Sequence, residues 1–226
     1  MAYLCPICGA ELREEHTRAV CSFCAEETAV EWRCPNGHAV CEACQLADLP
    51  EMIRRVCAGS HETDPASITN RMMRHPLVTE HGPQHHLLVA PAVLTALANS
   101  GQRPLKPGQL GAAIRRSSRV PYGACGTRGE CGAAVSAGAL VALVSGATYR
   151  RDRERSLALQ ATADSLAAIA RAGGPRCCKQ SVYLALEASV SLLSRELGLA
   201  VPLTIRCEFA ARNPECKQER CPYYVG

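Results

Sequence analysis

Cysteine and histidine occur in closely spaced pairs over residues 5–44 of this chain. The four pairs are Cys5 and Cys8, Cys21 and Cys24, Cys34 and His38, and Cys41 and Cys44. Each pair can reach one metal ion from a single tight turn, and two pairs complete a tetrahedral site of the kind that zinc prefers. Eight ligands therefore predict two Zn2+ ions without an open coordination position, which favours a structural or docking role over catalysis.

The sequence leaves open how these pairs combine. In a sequential arrangement, as in tandem zinc ribbons, neighbouring pairs share an ion. In an interleaved arrangement, similar to the cross-brace of RING domains, the first pair shares an ion with the third and the second pair with the fourth. The interleaved sites would be Cys5, Cys8, Cys34 and His38, and Cys21, Cys24, Cys41 and Cys44. A ubiquitin-ligase role is not expected, because the final cysteine pair that is usual in RING domains is missing.

The cysteines of the C-terminal half are isolated and irregularly spaced. They are Cys125, Cys131, Cys177, Cys178, Cys207, Cys216 and Cys221. Iron–sulfur clusters accept thiolates from distant segments, and a proline after the last cysteine is common in ferredoxin-type loops. This spacing predicts a cluster of the 4Fe-4S type; a third zinc or mononuclear site and metal-free thiols are the alternatives. Cys57, alone on a predicted helix, is interpreted as a core residue.

Two of these cysteines are adjacent in the chain. Cys177 and Cys178 fall in the first turn of a predicted helix beside Arg176 and Lys179, where the helix dipole and the cations stabilise a thiolate or an anionic cluster. Adjacent cysteines cannot easily bind the same iron. One of them is therefore expected to be a ligand, and the other to be free or to serve a second site.

Candidate groups for proton transfer and anion binding lie near these cysteines in the sequence. His85 and His86 precede an apolar helix and are candidate general bases or metal ligands, and Lys179 is a candidate acid or base if it is desolvated. Arg115 and Arg176 are candidate ligands for the anionic group of a substrate. The alternative interpretation is that these are ordinary solvated side chains.

Charge is distributed unevenly along the chain. Residues 1–50 carry three Arg and no Lys against eight acidic residues, whereas the formal charge of the whole chain is +4. An acidic metal module and an aromatic content of 4% disfavour nucleic-acid binding, whereas the basic remainder suits a small anionic or thiol substrate. The start of the chain lacks an export signal, which predicts a cytoplasmic location with reduced thiols. The longest apolar stretch, residues 133–147, is too short to span a membrane.

The elements that position these residues are predicted to be mainly α-helical. We expect a small N-terminal zinc-binding module of RING or zinc-ribbon type over residues 1–47 and linking helices over 48–80. A helical bundle that carries the cysteine-rich, iron–sulfur part follows over 81–226. Helix signals include Asp64 before Pro65, the small-residue run after Cys131, and Gly173-Gly174 after a long amphipathic segment. Pro175 is predicted to open the helix that carries the adjacent cysteines.

Several motifs resemble an uncharacterised cysteine-rich domain family of methanogens and other anaerobes. They are His-His before Val-Ala-Pro-Ala-Val-Leu at 89–94, Gly-Glu-Cys-Gly-Ala-Ala at 129–134, Gly-Gly-Pro-Arg-Cys-Cys-Lys at 173–179, Cys-Glu-Phe at 207–209 and the segment 213–223. The zinc module is similar to one that accompanies that domain in some members. The resemblance implies a relative without an assigned reaction.

A second resemblance implies chemistry. Part of the C-terminal half is similar to the alpha domain of iron–sulfur L-serine dehydratases and cysteine desulfidases. The similar features are, in this order, a Cys-Gly-Ala-Ala turn, a small-residue helix, a glycine-ended helix and two thiols before Lys179. In those families three cysteines hold a four-iron cubane whose remaining iron binds substrate as a Lewis acid. The likeness implies Cys131, one of Cys177 and Cys178, and a C-terminal cysteine as ligands. The adjacent thiols and the missing Asp-Pro-Val segment depart from that pattern.

Two functions follow as hypotheses. The first is an iron–sulfur enzyme that acts on a small sulfur- or hydroxyl-containing molecule by Lewis-acid elimination or sulfur transfer. The second is a non-enzymatic adaptor for metal or sulfur trafficking or for redox sensing, which docks on a protein partner through its zinc module.

Overall fold

The computed structural model describes residues 3–225 and is mainly helical, with one small antiparallel sheet. The predicted fold class is thereby confirmed. The elements are β1 (Arg13–Val20), β2 (Glu27–Arg33), α1 (Glu42–Gln45), α2 (Leu49–Ala58), α3 (Pro65–Met73), α4 (Val89–Asn99), α5 (Gln109–Ser117), α6 (Ala124–Thr127), α7 (Gly132–Ser145), α8 (Asp152–Ala172) and α9 (Cys178–Leu197). Short 3-10 turns occupy Pro83–Leu87, Ala210–Arg212 and Gln218–Arg220.

The N-terminal module is built from β1, β2, three tight turns that carry the first three ligand pairs, and α1, which carries Cys41 and Cys44. The backbone N–H of Gly9 donates to the carbonyl of Cys5 at 2.9 Å, and that of Ala25 donates to Cys21 at 3.0 Å. Both closing residues have positive φ, 73° and 60°, as a chain that reverses around a bound ion requires. These turns hold the two thiols of each pair on the same side of the backbone.

The small-residue helix α7 lies in the middle of the helical body, against α4, α5, α8 and α9. Its near-continuous run of Gly, Ala and Ser allows neighbouring helices to approach closely. A Cβ on Gly138 would lie 2.1 Å from Oγ1 of Thr162 in α8, so this position accepts only glycine without displacement of the neighbouring helix. Cys131 is the N-cap residue of α7, and the tight packing of α7 fixes its position.

Helix α9 begins later than the sequence predicts. Pro175 and Arg176 remain in the loop that follows Gly173 and Gly174, Cys177 is the extended N-cap with φ −134° and ψ 105°, and the helix starts at Cys178. The Cys177 side chain accepts a hydrogen bond from the backbone N–H of Gln180, with an N to Sγ distance of 3.4 Å. The change of backbone conformation between the two cysteines sends their side chains in different directions.

The metal module packs directly on the helical body. A Cβ on Gly59, at the end of α2, would lie 1.8 Å from the carbonyl oxygen of Cys24. The ring of Phe23 meets His75 edge-on at 4.5 Å, and Nε2 of His75 lies 3.1 Å from the carbonyl oxygen of Cys44. One continuous core contains buried residues from the module, from the helices of segment 48–80 and from the bundle. The boundaries at residues 47 and 80 stay predictions.

Within residues 3–225, no helix combines the length and the apolar character that are needed to cross a membrane.

Candidate metal centres

The eight N-terminal ligands form two groups, each with its ligand atoms within 4.8 Å of one another. The groups are Cys5, Cys8, Cys34 and His38, and Cys21, Cys24, Cys41 and Cys44. The first pair therefore joins the third and the second joins the fourth, which is the interleaved arrangement. The Sγ atoms of Cys8 and Cys34 lie 3.6 Å apart, and so do those of Cys24 and Cys41. In a tetrahedral zinc site with zinc–sulfur bonds of about 2.3 Å, the sulfur atoms lie about 3.8 Å apart, so the observed distances are close to those of such a site. Each group could hold one metal ion.

The two groups differ in their surroundings. In the first, Cys8 is exposed, and the side-chain amide of Asn36 donates to its Sγ at 3.3 Å. This hydrogen bond lowers the pKa of Cys8 to about 6. In the second, all four thiols are buried, and burial raises the pKa of Cys24 to about 12. A thiol of this kind becomes a thiolate when a cation binds beside it. With four protein ligands, neither group leaves a position for a substrate.

The seven C-terminal cysteines lie around two neighbouring cavities. Four of them, Cys177, Cys207, Cys216 and Cys221, line a small cavity between the start of α9 and the C-terminal segment, and we call them the four-thiol group. The other three, Cys125, Cys131 and Cys178, line a larger cavity, and we call them the three-thiol group. Cys177 borders both cavities. The adjacent pair thus contributes one thiol to each group.

Amide and ammonium groups surround the four-thiol group. The side-chain amide of Gln180 donates to Cys221 Sγ and the backbone N–H of Gln218 donates to Cys216 Sγ, each at 3.4 Å. The buried ammonium of Lys217 donates to the Gln180 side-chain oxygen at 2.8 Å and to the carbonyl of Gly173. Burial raises the pKa of Cys207, and its three neighbouring thiols raise it further. This environment favours an anionic metal centre over four separate thiolates.

The C-terminal thiols are more widely spaced than those of the N-terminal module. Within residues 3–225, the groups of three or more ligand atoms that lie within 4.8 Å of one another are the two N-terminal ones. A single ion draws all its thiolates to its own coordination sphere, whereas a cubane separates them because each thiolate binds a different iron. Within the described residues, the C-terminal thiols therefore do not form a site of the zinc type that the N-terminal module has.

The larger cavity has a volume of about 340 Å³ and brings His85, His86 and Arg176 to the three-thiol group. His85 is 1% exposed. Its Nδ1 lies 3.2 Å from the carbonyl oxygen of Gly82, and its buried Nε2 lacks a hydrogen-bond partner among the described residues. Burial lowers the pKa of His85 to about 3, so the ring is neutral near pH 7. The Nδ1 hydrogen donates to Gly82, and Nε2 keeps a free lone pair.

Two further contacts shape the larger cavity. Nδ1 of His86 lies 3.1 Å from the carbonyl oxygen of Val120, and a Cβ on Gly132 would lie 2.0 Å from Cγ of the imidazole. The missing side chain of Gly132 therefore makes room for His86. The Arg176 guanidinium donates to the Tyr122 hydroxyl at 3.2 Å and lies 5.5 Å from the centre of the ring.

The structure places the other two candidate residues elsewhere. Lys179 is 1% exposed and lines the small cavity, where its ammonium donates to the Glu80 carboxylate at 2.8 Å. Arg115 is exposed in the last turn of α5 and lies outside the linings of both cavities. Their assignments to proton transfer and to substrate binding stay predictions, with less geometric support than those of His85, His86 and Arg176.

Sequence reasoning missed Lys217, Gln180 and Glu80. Lys217 follows Cys216 directly, as Lys179 follows Cys178, and this repeated Cys-Lys pair is a signal that could have drawn attention to it. Gln180 and Glu80 carry no such signal, because their roles depend on contacts between segments that are distant in the sequence.

The fold and these groups define a helical protein with a closed module for two metal ions and a separate, cysteine-lined body. The chain belongs to the family of unknown function DUF5714, whose model matches residues 53–224. The matched region contains both C-terminal thiol groups and begins after the last ligand of the module. Neither the curated proteins nor the solved structures provide a match to the chain. The expectation of a family without an assigned function is confirmed, whereas its occurrence in anaerobes and the likeness to L-serine dehydratases stay predictions.

Proposed function

We propose that this protein is an iron–sulfur enzyme that acts on a small anionic molecule carrying a thiol or hydroxyl group, by Lewis-acid elimination or sulfur transfer. The observation that carries the proposal is one cavity of about 340 Å³ lined by Cys125, Cys131 and Cys178, by Cys177, which also borders the small cavity, and by two imidazoles and a guanidinium. Cys125, Cys131 and Cys178 would hold a 4Fe-4S cluster with one iron left without a protein ligand, and such a cluster would supply a Lewis acid for the leaving heteroatom. The two N-terminal groups hold zinc and are structural.

The cavity side chains supply binding and proton transfer. Arg176 binds the carboxylate of the substrate, and its contact with Tyr122 orients the guanidinium. Because burial lowers the pKa of His85 to about 3, this ring accepts a hydrogen bond from the substrate at Nε2, which is buried without a partner among the described residues, and the half-buried His86 takes up the substrate proton. His86 presents a second imidazole whose orientation is fixed by Val120. Lys179 holds Glu80 in place rather than moving the proton, because its ammonium is already paired.

The cavity has a buried side and an exposed side. His85 is buried, and the half-buried apolar side chains of Ile169 and Leu184 form part of the wall. Arg176 is exposed, so a substrate carboxylate can reach it from solvent. The reduced thiols that the proposal requires are consistent with a cytoplasmic location.

The test is substrate binding to the reconstituted protein. After anaerobic reconstitution with iron and sulfide and reduction with dithionite, we expect L-cysteine or L-serine to shift the electron paramagnetic resonance spectrum. Arg176→Gln should weaken this response at least about tenfold, by loss of a charge-assisted hydrogen bond. The matched control Arg153→Gln changes an exposed arginine of α8 outside both cavities and should respond like wild type. An unchanged spectrum with both probes at millimolar concentration would contradict the proposal.

The adaptor hypothesis is the second candidate, and exposed apolar side chains on the metal module favour it. Tyr3, Leu4 and Leu46 are 58%, 61% and 75% exposed. Such residues on a rigid module offer a surface for a protein partner. Turnover of L-cysteine or L-serine by the isolated protein would exclude a purely non-enzymatic role. Transfer of iron and sulfide from the reconstituted chain to an apo-ferredoxin, without turnover, would favour it.

A further inference from the structure

We infer that the four-thiol group is a second, separate iron–sulfur site, in which all four irons of a cubane are bound by the protein. Cys177 comes from the start of α9, and Cys207, Cys216 and Cys221 come from the C-terminal segment that folds over it. The backbone N–H of Cys207 donates to the carbonyl of Tyr223 at 2.7 Å, which ties the two ends of that segment together. The site is therefore assembled by tertiary structure and not by a local motif.

The geometry of the group argues against a third zinc site. Both zinc-type groups of the same chain bring four ligand atoms within 4.8 Å, and within the described residues the four-thiol group does not. All four cysteines nevertheless line one cavity. Thiols that line one cavity but do not gather at zinc spacing suit ligands that each bind a different iron of a cubane. The cavity has a volume of about 20 Å³, so these thiols would move apart as the cluster binds.

The surroundings of the group fit an anionic cluster. Three of the four sulfurs accept hydrogen bonds from amides: Cys177 from the backbone N–H of Gln180, and Cys216 and Cys221 as described above. The buried Lys217 lines the cavity, and its ammonium offsets negative charge there. Such donors and cations are the outer-sphere groups that tune the potential of iron–sulfur clusters.

A cluster with four protein thiolates has no free iron, so this site does not bind substrate. Its chemistry is the uptake and release of one electron. One peptide bond separates Cys177 from Cys178, which belongs to the three-thiol group. Two clusters bound through adjacent residues lie close enough for their electron spins to interact when both are reduced, and an electron can pass between them.

The test compares ligand variants of the two groups in the full chain. Wild-type protein, reconstituted anaerobically, should contain about eight irons and eight sulfides, as two cubanes require. The Cys216→Ser and Cys131→Ser variants should each contain about half of the wild-type iron and half of the wild-type sulfide. After reduction with dithionite, the wild-type resonance spectrum should be broadened by spin–spin interaction. Each variant should give the simpler spectrum of one cluster. Cys57→Ser, which alters a buried cysteine outside both groups, should keep the wild-type spectrum.

The variants separate the failure of this inference from the failure of the proposed function. Full iron content in Cys216→Ser, with loss in Cys131→Ser, would overturn the second site and leave the proposed substrate site intact. Loss of iron in Cys216→Ser, with full iron content in Cys131→Ser, would support the four-thiol site and contradict the substrate site. A wild-type content of about four irons that disappears in both variants would mean a single shared cluster and would also overturn the inference.

Lys217→Gln provides a measurement that keeps all seven thiols. Removal of the buried cation makes the addition of an electron less favourable, so one of the two clusters should become harder to reduce while the other keeps its potential. Arg153→Gln, an exposed change of the same charge in α8, should leave both potentials unchanged. Two unchanged potentials in Lys217→Gln would contradict the placement of a cluster in the small cavity.

Discussion

The N-terminal module and the helical body use the same side chain at two different spacings. In the module, tight turns bring pairs of thiols together, and four ligand atoms gather within 4.8 Å. In the body, helix starts and a C-terminal segment present single thiols around two cavities. Tight turns suit one ion with its ligands in a small sphere, whereas separate segments suit a larger cluster. The number of cysteines is similar in the two regions, so the backbone that presents them makes the difference.

The largest effect is expected from breaking the buried group of the module. Cys44→Ser should release one zinc and cost about 4 kcal/mol or more, because loss of a structural metal is among the strongest destabilising changes. Zinc analysis measures the loss of the ion, and thermal unfolding measures the loss of stability. The matched control is Cys57→Ser, a fully buried cysteine outside both module groups, which should retain two zincs. Two zincs with unchanged stability in Cys44→Ser would contradict the assignment of Cys44 as a metal ligand.

The second largest effect is expected from disturbing the contact between the N-terminal module and the helical body. Gly59→Ala places a Cβ 1.8 Å from the carbonyl oxygen of Cys24, so the module must shift on α2. We expect a loss of about 2–3 kcal/mol from overpacking, with zinc retained. Gly111→Ala in α5 is the control, since its new Cβ would meet only the flexible end of Arg115 at 3.1 Å. Equal unfolding temperatures of the two variants would contradict the direct packing.

A third change sharpens the comparison within the helical body. Gly132→Ala forces His86 out of its position, because the new Cβ would lie 2.0 Å from the imidazole. We expect the turnover of L-cysteine or L-serine to fall about 10²-fold, which is the loss typical of a displaced acid–base group. The zinc and iron content should stay unchanged. The control Gly111→Ala lies outside the linings of both cavities, and its new Cβ would meet only the flexible end of Arg115. Activity near the wild-type level in Gly132→Ala would remove His86 from the mechanism.

The smallest effect is expected from a helix cap that belongs to neither metal group. Asp48 accepts a hydrogen bond from the backbone N–H of Glu51 at 2.8 Å at the start of α2. Asp48→Ala should cost about 1 kcal/mol in chemical denaturation, with all metals retained. The conservative variant Asp48→Asn should recover most of this stability. Loss of zinc in Asp48→Ala would indicate that folding of the module depends on α2.

The sequence predicted the helical fold class and the eight ligands of the module, because both depend on local patterns. Chain order left two pairings open, and three-dimensional packing selects one of them. The division of the seven other cysteines into two groups could not be predicted, since it depends on where α9 begins. Pro175 suggested a helix start, but the loop extends to Cys177. The inward position of Lys217 depends on contacts with a distant helix end.

X-ray absorption at the zinc and iron edges of one anaerobically reconstituted sample tests the central claim most directly. The claim is that the closely spaced thiols hold single ions and the widely spaced thiols hold clusters. The zinc spectrum should then show only sulfur and nitrogen neighbours at bonding distance, and the iron spectrum should show sulfur together with a second shell of iron. Iron without an iron neighbour, or zinc as the metal bound by the C-terminal cysteines, would contradict it.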